Sequence, residues 1–317
     1  MAAADSLARR CSRHWPLAAT ALLVAHALAH AIIHAHLGGL AIVAFITAPP
    51  LIFGATAVTT AMAARDLFHG GWRRILSGRS TFPLLALVAS SFLSLLTYRV
   101  FPSSHDNWAA TWCLGLPLTG DIAVLDGGRR LDTNTHAGTP SERYAYDVAT
   151  VGGDASNGGE GTTLADYDAY QQPVIAPVSG TVVLVIDDEP DRAPRQTPWR
   201  PWTNALGNRI VLRVDHTDQY LVLAHLQQDS INVGLGDSVA VGTLLGRVGN
   251  SGRAGTPRLH LHVQDGPDTT GVEGVPVPFC GYEVIDRGMP WDTAQPVFNG
   301  MPTGRDHPQL IRARRTD

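Results

Sequence analysis

Two histidines stand in a short strand-like stretch late in the chain. The segment 249–265 opens as a Gly/Ser-rich loop and closes as a run in which His260 and His262 alternate with apolar residues. Successive side chains of a β-strand point to opposite faces, so both imidazoles lie on one face. Such a pair can share a metal ion, or one can bind it while the other moves protons. Because His-x-His is short, two surface histidines remain the alternative.

Two more residues of the same chemical types interrupt strand-like runs elsewhere. Asp147 lies inside the run 144–149, where an apolar residue would be expected, and His225 ends the run 220–225. Carboxylates and imidazoles are the residue types that build zinc sites and general acid–base pairs. These positions are therefore the candidates for chemistry.

The elements that must position them are short β-type runs bounded by turn residues, with no convincing amphipathic helix among them. The sequence predicts an all-β second half with strands at 144–149, 174–176, 180–186, 208–214, 220–225, 238–241, 244–248 and 259–264. The Pro-rich insertion 187–206, with Trp199 and Trp202, is predicted to be a surface loop or one wall of a substrate groove.

The first 104 residues have a different character. Apolar runs at 17–35, 40–64 and 81–98 predict an α-helical membrane region of about three transmembrane helices, the second kinked or re-entrant at Pro49-Pro50. A cleaved signal peptide is the rival interpretation of the first run, but such signals have shorter apolar cores and further apolar runs follow.

Arginine predicts the orientation. Three arginines precede the first apolar run and four lie between 65 and 79, whereas the first connecting loop has none. By the positive-inside rule the N-terminus and the second loop are cytoplasmic. Everything after Arg99 is then extracytoplasmic.

A stripe of histidines, His26, His30 and His34, recurs every four residues within the first run. Ionisable side chains in membrane helices are rare and often functional, which would allow a metal or proton role. Neutral histidines packed against neighbouring helices are the alternative that we favour, because no carboxylate or cysteine accompanies them.

Composition excludes several function classes. All 24 basic residues are arginine, so Schiff-base, Walker A and lipoyl- or biotinyl-lysine chemistry are absent. After residue 104 the chain carries 16 arginines against 26 acidic residues, which argues against a nucleic-acid partner. The three cysteines show no CxxC spacing, so a cysteine zinc cage is not expected.

Taken together, several blocks resemble the M23 zinc metallopeptidases, the lysostaphin- and LytM-like cell-wall endopeptidases. The resemblance covers roughly 136–268, and its blocks come in family order: 174–182, 207–211, 224–226, 233–249 and 259–262. It implies a LytM-like fold, a small antiparallel β-sheet or barrel-sandwich, that holds one zinc ion per chain. It also implies that Asp147 and His262 are zinc ligands and that His225 and His260 are catalytic.

One position departs from the family pattern. Where the common pattern has a histidine four residues before the ligand aspartate, this chain has Arg143, which stays cationic and cannot bind zinc. Similar family members carry an upstream Asn-x-His, so the resemblance implies His136 as the third ligand. Arg143 is then free to pair with a carboxylate or to bind substrate, and Asn208 is a second substrate-binding candidate.

The expected organisation is a membrane anchor at 1–104, a lead-in at 105–135, the β peptidase domain at 136–300 and a tail at 301–317. The expected function is that of a membrane-embedded zinc endopeptidase acting on peptidoglycan cross-links or another extracytoplasmic peptide. The alternative is an inactive M23-like domain that binds envelope partners. The sequence leaves the oligomeric state open.

A disulfide between Cys113 and Cys280 is a further hypothesis, since both would face an oxidising compartment. Two free, buried thiols are the alternative. Cys11 would stay cytoplasmic and reduced.

Overall fold

The computed structural model describes residues 14–70, 81–128, 133–152, 161–196, 204–268, 270–286 and 309–314. Its contacts divide the chain into two compact units, Met1–Ser104 and His105–Asp317. Several positions used in the sequence predictions lie outside the described residues: Arg9, Arg10, Cys11, Arg13, Arg73, Arg74, Arg79, Trp199 and Trp202.

The first unit contains three helices among its described residues: α1 (Trp15–His34), α2 (Gly39–Gly70) and α3 (Thr81–Thr97). By length and composition, α1 and α2 could each cross a membrane, whereas α3 is apolar but has only 17 residues. The structure therefore offers two candidate spans where the sequence predicted three. α2 runs continuously through Pro49 and Pro50.

The histidine stripe of α1 meets a row of hydroxyl groups on α3. His26 is fully buried and holds Ser90 Oγ at 2.7 Å from its Nδ1 and Ser94 Oγ at 3.0 Å from its Nε2. His30 Nδ1 lies 2.8 Å from Thr97 Oγ1. Because Thr97 Oγ1 donates its proton to the Leu93 carbonyl, it accepts the proton of His30. These contacts agree with the packing role favoured from the sequence.

The second unit is built on one nine-stranded antiparallel sheet of order β10-β11-β1-β2-β9-β6-β5-β4-β7, beside a two-stranded sheet of β3 and β8. The strands are β1 (Asp121–Asp126), β2 (Tyr146–Val151), β3 (Pro173–Ile175), β4 (Gly180–Ile186), β5 (Asn208–Val214), β6 (Tyr220–Leu226), β7 (Ser238–Val239), β8 (Leu244–Arg247), β9 (Leu259–Gln264), β10 (Tyr282–Asp286) and β11 (Gln309–Ala313). Its described residues contain two short 3-10 helices and no α-helix.

The central strands β5 and β6 are buried on both faces. Ile210 and Leu221 point into the main core, whereas Val211 and Val222 point into a smaller cluster closed by Leu206. This two-sided burial explains why both strands read as continuous apolar runs. It also fixes the register, since a one-residue slip would exchange the two faces.

Three strands fall where none was predicted. β1 lies in the predicted lead-in, and it pairs with β2 on one side and with β11 on the other. β11 lies in the predicted tail and also pairs with β10. The sheet thus extends beyond the predicted peptidase domain at both ends.

Cys113 and Cys280 form a disulfide in the second unit, across 167 residues of sequence. The loop 113–115 also pairs with the segment around Phe279 through backbone hydrogen bonds between Leu114 and both Pro278 and Cys280. The disulfide hypothesis is confirmed.

Replacing both cysteines by serine is expected to destabilise the second unit by about 2–4 kcal/mol, because a cross-link over so long a loop restricts the unfolded chain. Thermal unfolding of the full chain in detergent, with and without reductant, measures this. Reductant should lower the unfolding temperature of the wild type and leave that of the double variant unchanged; equal sensitivity of both would contradict it.

Candidate metal centre

Three adjacent strands bring the predicted site residues together. β9 lies between β2 and β6, and the register pairs Asp147 with His260 and His260 with Ala224. His225 follows Ala224 at the end of β6. His260 therefore occupies the middle of the constellation.

Asp147 is buried, and its two carboxylate oxygens have different partners. Oδ1 lies 2.9 Å from His260 Nδ1 and 3.4 Å from His136 Nε2, whereas Oδ2 accepts a hydrogen bond of 2.5 Å from Arg258 Nε. Burial alone would raise the pKa of Asp147, but the Arg258 guanidinium and the two histidines hold it well below its usual range. Asp147 is a carboxylate at any physiological pH.

His136 reaches Asp147 because the chain folds back ahead of β2. A 3-10 helix, Thr135–Gly138, begins at Asn134, whose side-chain Oδ1 accepts a hydrogen bond from the His136 backbone N–H at 2.9 Å. The Asn134 amide also donates to the carbonyls of Gly128 (2.8 Å) and Arg143 (3.1 Å). Asn134 thus fastens the turn that carries His136 to the start of β2.

The His136 ring bridges two carboxylates. Its Nδ1 lies 3.1 Å from Glu142 Oε2, and its buried Nε2 makes no hydrogen bond within the described part of the chain. Burial would lower the pKa of His136, but Asp147 and Glu142 outweigh it and raise the pKa to about 10. Glu142, despite its own burial, has a pKa lowered to about 2, chiefly by the hydrogen bond with His136. This carboxylate orients Nε2 toward Asp147, as carboxylates do behind metal-binding histidines.

A chain of hydrogen bonds along β9 fixes which ring nitrogen of His260 faces His262 and which faces Asp147. Gln264 Nε2 donates to two carbonyls, Gly266 O at 2.7 Å and Asp268 O at 2.8 Å, so its Oε1 must accept. His262 Nε2, 3.0 Å from that oxygen, is therefore the donor, and its Nδ1 is a lone pair. His260 Nε2 donates to this lone pair at 3.0 Å. When His260 binds a metal, the nitrogen left for it is Nδ1, which faces Asp147.

The geometry places His260, rather than His262, next to Asp147. His136, Asp147 and His260 offer ligand atoms that all lie within 4.8 Å of one another. Both histidines of His-x-His share a face of β9, as predicted, but His262 lies further from Asp147 and both of its ring nitrogens bind protein groups. Burial, and then His260, lower its pKa to about 4, so His262 is neutral. His262 as a ligand stays a prediction, and His260 is the histidine of this strand that belongs to the described cluster.

His225 is held at the site in one neutral tautomer. Its Nδ1 donates to the Ser251 carbonyl at 3.0 Å, which leaves Nε2 as a lone pair, and its ring centroid is 5.7 Å from that of His260. Burial, followed by the charge of Arg258, lowers its pKa to about 3. Its backbone φ of 62° lies in the left-handed region that non-glycine residues seldom adopt. Such strain is typical of residues placed for function.

The two residues predicted to bind substrate have other partners. Asn208 is fully buried, and its amide donates to the Glu189 and Leu226 carbonyls (2.7 and 3.1 Å) and accepts from the Glu189 N–H (2.8 Å). It fastens the insertion after β4 to the sheet, and its role in substrate binding stays a prediction. Arg143 is also buried and lies 3.7 Å from Asp106 and over the Tyr144 ring. Arg143 pairs with a carboxylate, as the sequence allowed.

The described parts of the insertion 187–206 dock on the Gly/Ser-rich loop that precedes β9. The Asn250 carbonyl accepts a hydrogen bond from the Arg192 N–H. The Asn250 N–H donates to Asp191, and its side-chain amide donates to the Arg192 carbonyl. The Arg195 N–H donates to Gly255 O at 2.7 Å. The insertion therefore supports the loop that leads into His260.

Comparison with known families decides the assignment of this region. Residues 160–272 match the family model described as peptidase family M23. This segment of the chain is therefore similar to M23 peptidases. The matched region includes His225, His260 and His262, whereas His136 and Asp147 lie on the strand and turn just before it.

Several solved M23 structures are similar to this chain. The catalytic domain of the prophage-encoded protein EnpA from Enterococcus faecalis is 20% identical over 50% of this chain and 92% of its own, with a TM-score of 0.31. A putative glycyl-glycine endopeptidase LytM from Ruminococcus gnavus is 21% identical over 51% of this chain and 57% of its own, with a TM-score of 0.32. A zinc-containing peptidase from Vibrio cholerae is 16% identical over 48% of this chain and 36% of its own, with a TM-score of 0.29. No curated protein matches the chain.

Three residues of the candidate metal centre escaped the sequence prediction: Arg258, Glu142 and Gln264. Arg258 and Gln264 share the strand parity of His260 and His262, so alternation along β9 was a signal that could have found them. Glu142 lies on a turn, where no periodicity marks it. Each of the three contacts one candidate ligand or the histidine behind it.

Proposed function

We propose that this chain is a membrane-anchored zinc endopeptidase whose M23 domain hydrolyses peptide cross-links of peptidoglycan. The observation that carries the proposal is the cluster of His136, Asp147 and His260, whose third member lies in the segment that matches the M23 family model. The peptidoglycan substrate follows from the family and from no contact in the structure.

The donor set suits zinc. Two imidazole nitrogens and one carboxylate oxygen are the ligands of many catalytic zinc sites, which leave a fourth position open. His136 Nε2 is a buried nitrogen without a hydrogen bond in the described chain, as expected of a nitrogen that awaits a metal. A bound zinc ion would polarise the scissile carbonyl and lower the pKa of water.

The remaining groups have roles set by their protonation. His225 is neutral and its Nε2 carries a lone pair, so it can accept a proton from the attacking water and return it to the leaving amine. Arg258 offers only N–H donors and cannot act as a base. Glu142 holds His136 in the orientation that presents its Nε2 to the site. The pair His262–Gln264 holds His260 so that it presents Nδ1.

The test is hydrolysis of purified peptidoglycan by the full chain in detergent. The release of new amino termini measures the hydrolysis. A zinc chelator is expected to abolish hydrolysis and stoichiometric zinc to restore it. Equal hydrolysis before and after chelation would contradict a zinc mechanism. Binding to peptidoglycan without cleavage at any zinc concentration would favour the alternative of an inactive binding domain.

The proposed location is the cell membrane, with the M23 domain extracytoplasmic. α1 and α2 support an anchor, and the disulfide fits an oxidising compartment. Reporter fusions after Arg79 and after Ser104 are expected to give cytoplasmic and external signals, respectively. The same compartment for both fusions would contradict a crossing by α3.

A further inference from the structure

Arg258 lies within the metal centre although it cannot bind a metal. It stands two residues before His260 on the same face, and 8% of its side chain is exposed. Its Nε donates to Asp147 Oδ2, and its Nη1 lies 3.3 Å from the Thr256 carbonyl. The guanidinium is therefore fixed between its own loop and the carboxylate of a candidate ligand.

Charge explains why this pairing matters. The Asp147 side chain is 2% exposed, and a buried carboxylate is strongly unfavourable unless a cation compensates it. Arg258 supplies a guanidinium in direct contact with this carboxylate.

The two carboxylate oxygens of Asp147 contact different groups. Oδ2 faces Arg258, and Oδ1 faces the two histidine nitrogens. A cation held by Oδ1 and these nitrogens would leave the Arg258 contact in place. Arg258 and a divalent ion would then be like charges on opposite oxygens of one carboxylate, and like charges repel strongly where water is excluded.

We propose that Arg258 is a built-in counter-ion of the metal centre. It stabilises the buried Asp147 in the metal-free chain, and through repulsion it lowers the affinity of the centre for zinc. This inference rests on the proposed zinc site at His136, Asp147 and His260. Arg258 is a positioning residue, because it touches the carboxylate of Asp147 and not the metal.

The experiment compares two substitutions that differ in charge. Arg258→Gln keeps an amide that can donate to Asp147 but removes the charge, whereas Arg258→Lys keeps the charge. Arg312→Gln is the matched control, because Arg312 pairs with Asp121 at 2.8 Å in a half-exposed ion pair. Zinc affinity of the full chain in detergent is measured by competition with a chromophoric chelator, and the unfolding temperature is measured with and without zinc.

Arg258→Gln is expected to bind zinc about tenfold tighter or more than the wild type. Its metal-free unfolding temperature should fall by roughly 6 °C or more, and saturating zinc should remove most of that loss. Arg258→Lys and Arg312→Gln should keep wild-type zinc affinity within about threefold. If Arg258 only held Asp147 in place, the Arg258→Gln variant would bind zinc more weakly than the wild type.

Equal zinc affinities in the Gln and Lys variants, or weaker binding in the Gln variant, would overturn the counter-ion role. If the Gln variant folds only in the presence of zinc, that outcome supports the role. Failure of the proposed zinc site is a separate result, seen when wild-type protein binds no zinc or when Asp147→Asn binds it as well as the wild type does.

Discussion

Asp147→Asn is expected to remove zinc from the chain and to slow peptide hydrolysis by at least about a thousandfold, since a catalytic metal supplies several kcal/mol of transition-state stabilisation. The substitution replaces the only anionic group in the candidate ligand cluster with a neutral amide. It also leaves the buried Arg258 without its carboxylate partner, so stability should fall as well.

Zinc content by elemental analysis and hydrolysis of peptidoglycan measure the two effects on the same preparation. Asp121→Asn is the matched control, because it removes a half-exposed carboxylate of the same sheet that pairs with Arg312 outside the metal centre. The control should keep full zinc and full activity. An Asp147→Asn variant with wild-type zinc content would show that the metal lies elsewhere.

Much of the central sheet could be predicted from the sequence because burial shaped the pattern of its strands. β4, β5 and β9 begin and end at the predicted residues, 180–186, 208–214 and 259–264. Turn residues bound each of these runs. Their apolar content is high because the sheet is covered on both faces along β5 and β6.

The outer strands gave no such signal. In β1 three consecutive residues, Ile122, Ala123 and Val124, are buried, so neither alternation nor a long apolar run marks the strand. β11 places only two residues in buried positions, and its sequence QLIRA is too short for a period to emerge. Their places depend on pairing with β2 and with each other, which is a tertiary effect.

The sequence could predict the residue types of the site and the strand face on which they lie, but not which position along β9 stands opposite Asp147. Alternation correctly places His260 and His262 on one face of β9, and it cannot say which of them stands opposite Asp147. The register between β2 and β9 decides that question, and it pairs Asp147 with His260. If β9 were shifted by two residues relative to β2, His262 would stand opposite Asp147 instead of His260, and the sequence pattern would be the same.

His136 illustrates the other limit. Eleven positions before Asp147, it approaches the same carboxylate only because Asn134 caps a 3-10 turn and ties it to Arg143. A resemblance could point to His136, whereas local propensity could not. The carboxylate behind it, Glu142, becomes visible only once the turn has formed.

Whether His260 or His262 is the zinc ligand can be tested directly. His260→Ala is expected to lose zinc almost completely, because Nδ1 of His260 faces Asp147 Oδ1 at 2.9 Å and removal of one of three protein ligands opens the site. His262→Ala should still bind one zinc ion per chain. Its affinity should fall about 10–100-fold, as is usual when the group behind a ligand histidine is removed.

Zinc stoichiometry and chelator competition on the full chain in detergent separate the two variants. Both positions are buried on the same strand face, so each variant serves as the packing control of the other. His105→Ala provides a control away from the cluster, since His105 contacts Asp265 at 3.2 Å. If His262→Ala lost its zinc while His260→Ala kept it, the ligand would be His262, as the resemblance first implied, and one of the hydrogen bonds of His262, with His260 or with Gln264, would have to break when the metal binds.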